Sequence, residues 1–124
     1  MGAKSKVLVV DDEPIVLDFV EKYLKLKGFE VQVAANSVSA LGKLDSFTPD
    51  VMLLDIGMPG IDGYDLARAI TAKPKFANVP IVFLSGYDVG VDAARSFAAG
   101  GSVYIHKPIS GEALVETLNG LLGA

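Results

Sequence analysis

The chain contains no cysteine and no tryptophan, and only one histidine among its 124 residues. Without cysteine there is no disulfide framework, no thiolate metal site and no thiol nucleophile, and His106 alone cannot build a histidine-rich zinc site. Any chemistry has to run on carboxylates, hydroxyls and amines. Positive charge is also in short supply. Against 15 Asp and Glu stand 11 Lys and Arg, a formal net charge of −4 that offers no general field to phosphate backbones or anionic lipid. Direct nucleic-acid binding and membrane association are therefore not expected. Long hydrophobic runs are missing too. A signal peptide needs an apolar stretch of about 7 residues or more, and the first such run, Val7 to Val10, stops at Asp11-Asp12-Glu13. A myristoylation signal would need Ser or Thr where this chain has Lys6. The expectation is a soluble, cytoplasmic chain.

What is present is a foldable core. Apolar residues make up 51% of the sequence and charged residues 21%, in a length that suits one domain over residues 1–124, with 1–5 as a flexible start. Short β-branched runs recur at Lys6–Val10, Glu30–Ala34, Val51–Leu54, Pro80–Leu84 and Ser102–Ile105, and read as strands. The first, third and fourth are apolar at nearly every position, as central strands of a parallel sheet covered on both faces should be. The second alternates Val31 and Val33 with Glu30 and Gln32 and reads as an edge.

Helical periodicity fills the gaps. The first helix spans Pro14 to Lys27, with Gly28 as a left-handed stop and Phe29 folding back on it. A second follows Ser37, with Val38, Leu41 and Leu44 inward, and a third opens near Asp62-Gly63 and carries Leu66, Ala67 and Ile70. A fourth covers Val91 to about Ala99, and a fifth, capped by Ser110, shows Leu114, Val115, Leu118, Leu121 and Leu122. Strands alternating with helices in this way give an α/β fold, a (βα)5 doubly wound, five-stranded parallel sheet. In such folds ligands sit at the carboxyl edge of the strands. That rule selects Asp11-Asp12-Glu13 after the first strand, Asp55 after the third, Ser85-Gly86 after the fourth and Lys107-Pro108 after the fifth.

Clustered carboxylates repel one another, so each must hold a proton or share a cation. Oxygen ligands without His or Cys suit a hard ion such as Mg²⁺. A carboxylate beside Mg²⁺ and an ammonium is placed to attack phosphorus and form an acyl phosphate, with a nearby hydroxyl bonded to one phosphoryl oxygen.

These residues, in this order, resemble the receiver domains of two-component response regulators. The resemblance runs from Val7 to about Leu122 and rests on Asp11-Asp12, on Asp55 within Leu53-Leu54-Asp55-Ile56-Gly57-Met58-Pro59-Gly60-Ile61-Asp62-Gly63, on Ser85, on Tyr104 and on Lys107-Pro108. It implies the flavodoxin-like strand order 2-1-3-4-5 and Asp55 as phosphoacceptor. It also implies Mg²⁺ held by Asp12, Asp55 and the Gly57 carbonyl, with Asp11 acting mostly through water. Lys107 would pair with the phosphoryl group, and Ser85 and Tyr104 would form the switch. The Lys107–Pro108 peptide would be cis, with Pro108 structural. The implied partners are a sensor histidine kinase or phosphotransfer protein, a downstream output domain or protein, and a second copy meeting the face of the fourth helix, fifth strand and fifth helix. Such a domain catalyses its own phosphorylation and dephosphorylation but serves as a signalling switch. Departures from the family are Gly86 for the usual Ala, Gly101-Ser102-Val103 for an acidic stretch, a side-chain-free Gly57 and a large Tyr87.

Each residue alone has an ordinary explanation: helix capping for the acids, a turn for Asp55, a loop for Ser85, a solvated charge for Lys107, a core ring for Tyr104. Their joint placement on one edge favours chemistry. His106, beside Lys107 on a strand, points away from the site. A flavodoxin-like electron carrier would share the fold, but its first loop should welcome a phosphate that Asp11-Asp12-Glu13 would repel. A pseudo-receiver docking module should lack some of the acids or the lysine. A haloacid-dehalogenase phosphatase needs a second acid where Gly57 stands.

Overall fold

The computed structural model describes residues 4–58, 60–86 and 101–123. Its strands are β1 (Lys6–Val10), β2 (Glu30–Ala34), β3 (Val51–Asp55), β4 (Ile81–Ser85) and β5 (Gly101–His106), all parallel, in the order β2-β1-β3-β4-β5. The helices are α1 (Pro14–Leu26), α2 (Ser37–Lys43), α3 (Gly63–Thr71) and α4 (Gly111–Leu122), and a 3₁₀ turn covers Pro74–Phe76. The helix expected over Val91–Ala99, with Tyr87, lies outside the described residues. So do residues 1–3 of the expected flexible start; Ser5 already accepts a backbone hydrogen bond from Glu30.

The period-two alternation of the strands sorts the core onto two faces. Leu8, Val10, Met52, Leu54, Ile81 and Phe83 face α2 and α3, where Ala40, Leu44, Leu66 and Ile70 cover them. Val7, Val9, Val51, Leu53, Val82 and Leu84 face α1 and α4, under Val20, Leu24, Leu114 and Leu118. Burying each such side chain contributes about 1.5–3 kcal/mol. Gly28 has φ +96°, and Phe29 returns its amide to the Leu24 carbonyl at 3.0 Å, which stops α1 as the sequence implies.

Two expectations need correction. The second helix begins at Ser37 rather than after it, and Asn36 caps it, its Oδ1 accepting the Ser39 amide at 2.8 Å. Ala40 and Leu44 then mark the buried stripe of that helix, and Val38, two residues before Ala40 and so about 200° around the axis, is 79% exposed. Asp55 and Ser85 are also the last residues of β3 and β4 rather than loop residues, because Asp55 still pairs with Leu84 and Ser85 with His106.

Candidate functional site

Central strands end where the sheet can no longer bury apolar side chains, and here they run into two acids and a serine. Asp11 follows β1 and is fully buried; Asp55 closes β3 at 4% exposure; Ser85 closes β4 and is buried; Asp12 is exposed at the rim. Asp11, Asp12 and Asp55 each place a carboxylate oxygen within 4.8 Å of the others. Lys107 enters from beyond β5, its amide bonded to the Ser85 carbonyl at 2.9 Å and its peptide to Pro108 cis, as the resemblance implies. Its Nζ lies 3.0 Å from Asp11 Oδ2 and 3.3 Å from Asp55 Oδ1. A cleft of about 400 Å³ opens over these groups, lined by Asp12, Glu13, Asp55, Gly57, Gly86 and Lys107.

The local chain explains this arrangement. Asp11 Oδ1 accepts the Glu13 amide at 2.9 Å, tying the acid to the start of α1, and Asp55 Oδ1 accepts the Gly57 amide at 3.3 Å. Gly63 lets α3 begin directly against β3: a Cβ there would lie 2.4 Å from the Asp55 carbonyl oxygen. Asp62 caps that helix by accepting the Asp65 amide.

Electrostatics follow from burial. Desolvation, then the neighbouring Asp11 charge, pushes the Asp55 carboxyl up to about 6, although Lys107 and the Gly57 amide pull the other way. Burial by itself would lower the Lys107 pKa, but the carboxylates of Glu13, Asp11 and Asp55 outweigh it and raise it above the ordinary lysine value. Asp11 Oδ2 is buried without a hydrogen-bond partner; its contact with Lys107 is an ion pair rather than a directed bond. An oxygen left in that condition among three acids is suited to a hard cation.

Three residues escaped the sequence reading as partners in the site. Glu13, one of the recognised acids, bonds Lys107 Nζ. Tyr64, just past Asp62-Gly63, is fully buried, and its hydroxyl meets that of Tyr104, while Phe83 lies between the two rings with centroids 4.8 and 5.8 Å away. Tyr104 is thus half-buried against the core, and His106 is exposed as expected. A separate groove along α1, between Ile15, Phe19, Tyr23 and Leu26, is apolar, and its ionic groups Asp18 and Lys22 pair with each other at 3.1 Å. It offers nothing that could hold a metal.

The sequence model described as the response regulator receiver domain matches residues 7–119. The transcriptional regulatory protein TrcR of Mycobacterium tuberculosis is 36% identical over 121 residues, 98% of this chain and 46% of that protein. The chain spans about half or less of the length of the curated relatives it matches. Among solved structures, the chemotaxis protein CheY4 of Vibrio cholerae superposes with a TM-score of 0.93 at 30% identity, covering 97% of this chain and 100% of that one. The receiver domain of a sensor histidine kinase from Pseudomonas aeruginosa, at 28% identity and a TM-score of 0.87 over 98% of this chain and 100% of that one, carries a magnesium ion in its active site cleft. No helix among the described residues is long and apolar enough to cross a membrane. Because the match runs from β1 into α4 and the same backbone recurs in independently solved receivers, the chain belongs to the receiver domain family of two-component response regulators.

Proposed function

We propose that Asp55 accepts a phosphoryl group, in the presence of Mg²⁺, from a histidine kinase or phosphotransfer protein. The observation that carries this reading is the buried carboxylate of Asp55 at the end of β3, beside buried Asp11 and rim-exposed Asp12 and 3.3 Å from the Lys107 ammonium. One oxygen of Asp55 forms a bond to phosphorus as the bond from phosphorus to the donor's histidine nitrogen breaks, and the electron pair stays on that nitrogen. Asp11, Asp12 and Asp55, with the Gly57 carbonyl, are the groups that would hold Mg²⁺. When bound, the ion supplies positive charge against the incoming phosphoryl oxygens. Lys107 neutralises a further share of that charge, and Ser85 bonds one phosphoryl oxygen. To reach that oxygen Ser85 would move toward Asp55, and the room it leaves would let Tyr104 pack further inward and alter the surface of β5 and α4. That surface, together with the expected fourth helix, would meet an output domain, a target protein or a second copy of the chain. This reading places the chain in the cytoplasm, acting on proteins rather than on nucleic acid.

Intact mass after incubation with acetyl phosphate and Mg²⁺ tests the assignment. One phosphoryl adduct per chain is expected, absent in Asp55→Asn; an adduct that survives in the variant overturns it. Amide exchange with and without beryllofluoride tests the switch, and unchanged protection at residues 101–112 would remove Tyr104 from it.

A further inference from the structure

We propose that Glu13 is the resting partner of Lys107, a carboxylate that occupies the ammonium until a phosphoryl group displaces it and so restrains the loading of Asp55. The proposal rests on the reading of Asp55 as the acceptor. Two independent observations carry it.

The first is a helix cap given up. Glu13 holds the N-cap position of α1, where Ser, Thr, Asp or Asn would lend a side-chain oxygen to the first turn, yet its side chain makes no capping hydrogen bond. It reaches instead across the cleft to Lys107, 94 positions away in the chain. The helix start is organised without it: Asp11 accepts the Glu13 amide, and Pro14 at the first helical position has no amide to satisfy. Glu13 thus spends its reach on the ammonium rather than on its own helix.

The second is the unequal freedom of the three acids around Lys107. The side chains of Asp11 and Asp55 are 0% and 6% exposed, whereas that of Glu13 is 57% exposed. Among the described residues Nζ gives its directed hydrogen bond to Glu13 and meets Asp11 and Asp55 as ion pairs, so a phosphoryl group on Asp55 that draws the ammonium toward itself competes with that bond. Asp11 cannot leave without breaking its bond to the start of α1. Glu13 can swing into water, and an ion pair open to solvent on the Glu13 side is weak enough to be exchanged for a dianionic phosphoryl group. Glu13 is therefore the partner that gives way.

The test compares the full chain with Glu13→Gln and Glu13→Asp, following adduct formation on Asp55 with acetyl phosphate and Mg²⁺. The Gln variant should load about two- to fivefold faster, the factor set by the strength of an exposed ion pair. The Asp variant keeps the charge but is one methylene too short to hold Nζ, and should move with Gln. An unchanged or slower Gln variant overturns the proposal, as does an Asp variant that behaves like the parent, since bulk charge rather than the Lys107 contact would then control loading. A second readout needs no phosphodonor: the Lys107 ε-methylene resonance. It should shift when beryllofluoride is added to the parent and should start displaced toward that position in Glu13→Gln, while identical resting spectra overturn the proposal. If the parent itself gains no adduct, the acceptor reading of Asp55 has failed, and the resting spectra still decide whether Glu13 holds Lys107.

Discussion

The middle of the strands and their carboxyl edge are buried equally well, for opposite reasons. Leu8, Val9, Leu53, Leu54 and Phe83 have no exposed surface, and within three residues further along the chain neither does Asp11, while Asp55 and Ser85 keep only 4% and 2%. Removing the apolar side chains from water drives folding, at about 25 cal/mol per Å². Removing a carboxylate from water opposes it, which is why the Asp55 carboxyl holds its proton up to about 6. The apolar middle is what allows the edge to keep groups that would not fold there on their own merits. Stability and chemistry are therefore separable by mutation along a single strand.

The largest effect should come from the middle. Leu54→Ala, adjacent to Asp55 but wholly within the core, should cost about 2–5 kcal/mol in urea unfolding; a loss under about 1 kcal/mol would mean that β3 does not organise the core. Next comes the junction of the two regions. Gly63→Ala would drive a Cβ into the Asp55 carbonyl, a backbone group that cannot swing aside, and should cost about 1–3 kcal/mol while slowing phosphoryl loading. Gly42, inside α2 with nothing within 4 Å of the corresponding Cβ, supplies the contrast: Gly42→Ala should stabilise by about 0.5–1 kcal/mol.

At the edge the sign should reverse. Asp55→Asn removes the proposed phosphoryl acceptor but also a buried negative charge beside Asp11, and should stabilise the metal-free chain at neutral pH by something on the order of 1 kcal/mol. The folded chain holds the Asp55 proton more tightly than the unfolded chain, whose carboxyl keeps the ordinary value of 3.8. Relative to Asp55→Asn, the parent's stability should therefore be fully retained below about pH 4, fall as pH rises through about 6, and level off above it. Denaturant titrations of both proteins across that range, with and without Mg²⁺, measure the difference. Mg²⁺ should restore the parent above pH 6 and leave the variant nearly unchanged. A parent curve that rises instead would mean that Lys107, rather than burial and Asp11, governs this carboxyl.

The same contrast explains what the sequence disclosed. Apolar runs ending in Asp11, Asp55 and Ser85 are legible because a parallel strand announces itself by continuous hydrophobicity, and the residue that breaks the run falls at the edge by construction. Lys107 is legible through the proline that follows it. Val38 was misplaced because a seven-residue helix offers barely two turns from which to find a phase, and the cap at Asn36 shifts the starting point by one residue. The Tyr64–Tyr104 and Glu13–Lys107 contacts were invisible because they join residues 40 and 94 positions apart. Neither pair follows from any local period. Only the packed sheet brings those side chains together.

The smallest effect should separate two helix starts on that same edge. Asp62 caps α3 through its bond to the Asp65 amide, and Asp62→Ala should cost about 1 kcal/mol, as loss of an N-cap generally does. Glu13 stands at the equivalent place on α1 but caps nothing, so Glu13→Ala forfeits only a half-exposed ion pair, and should change stability by less than about 0.5 kcal/mol. Removing one negative charge from beside Asp11 and Asp12 also relieves repulsion within the acidic cluster, which works against even that small loss. Thermal or urea unfolding of the two variants side by side decides the matter. If Glu13→Ala costs as much as Asp62→Ala, the bond from Glu13 to Lys107 is part of the scaffold, and the edge is holding itself together rather than being held by the strands behind it.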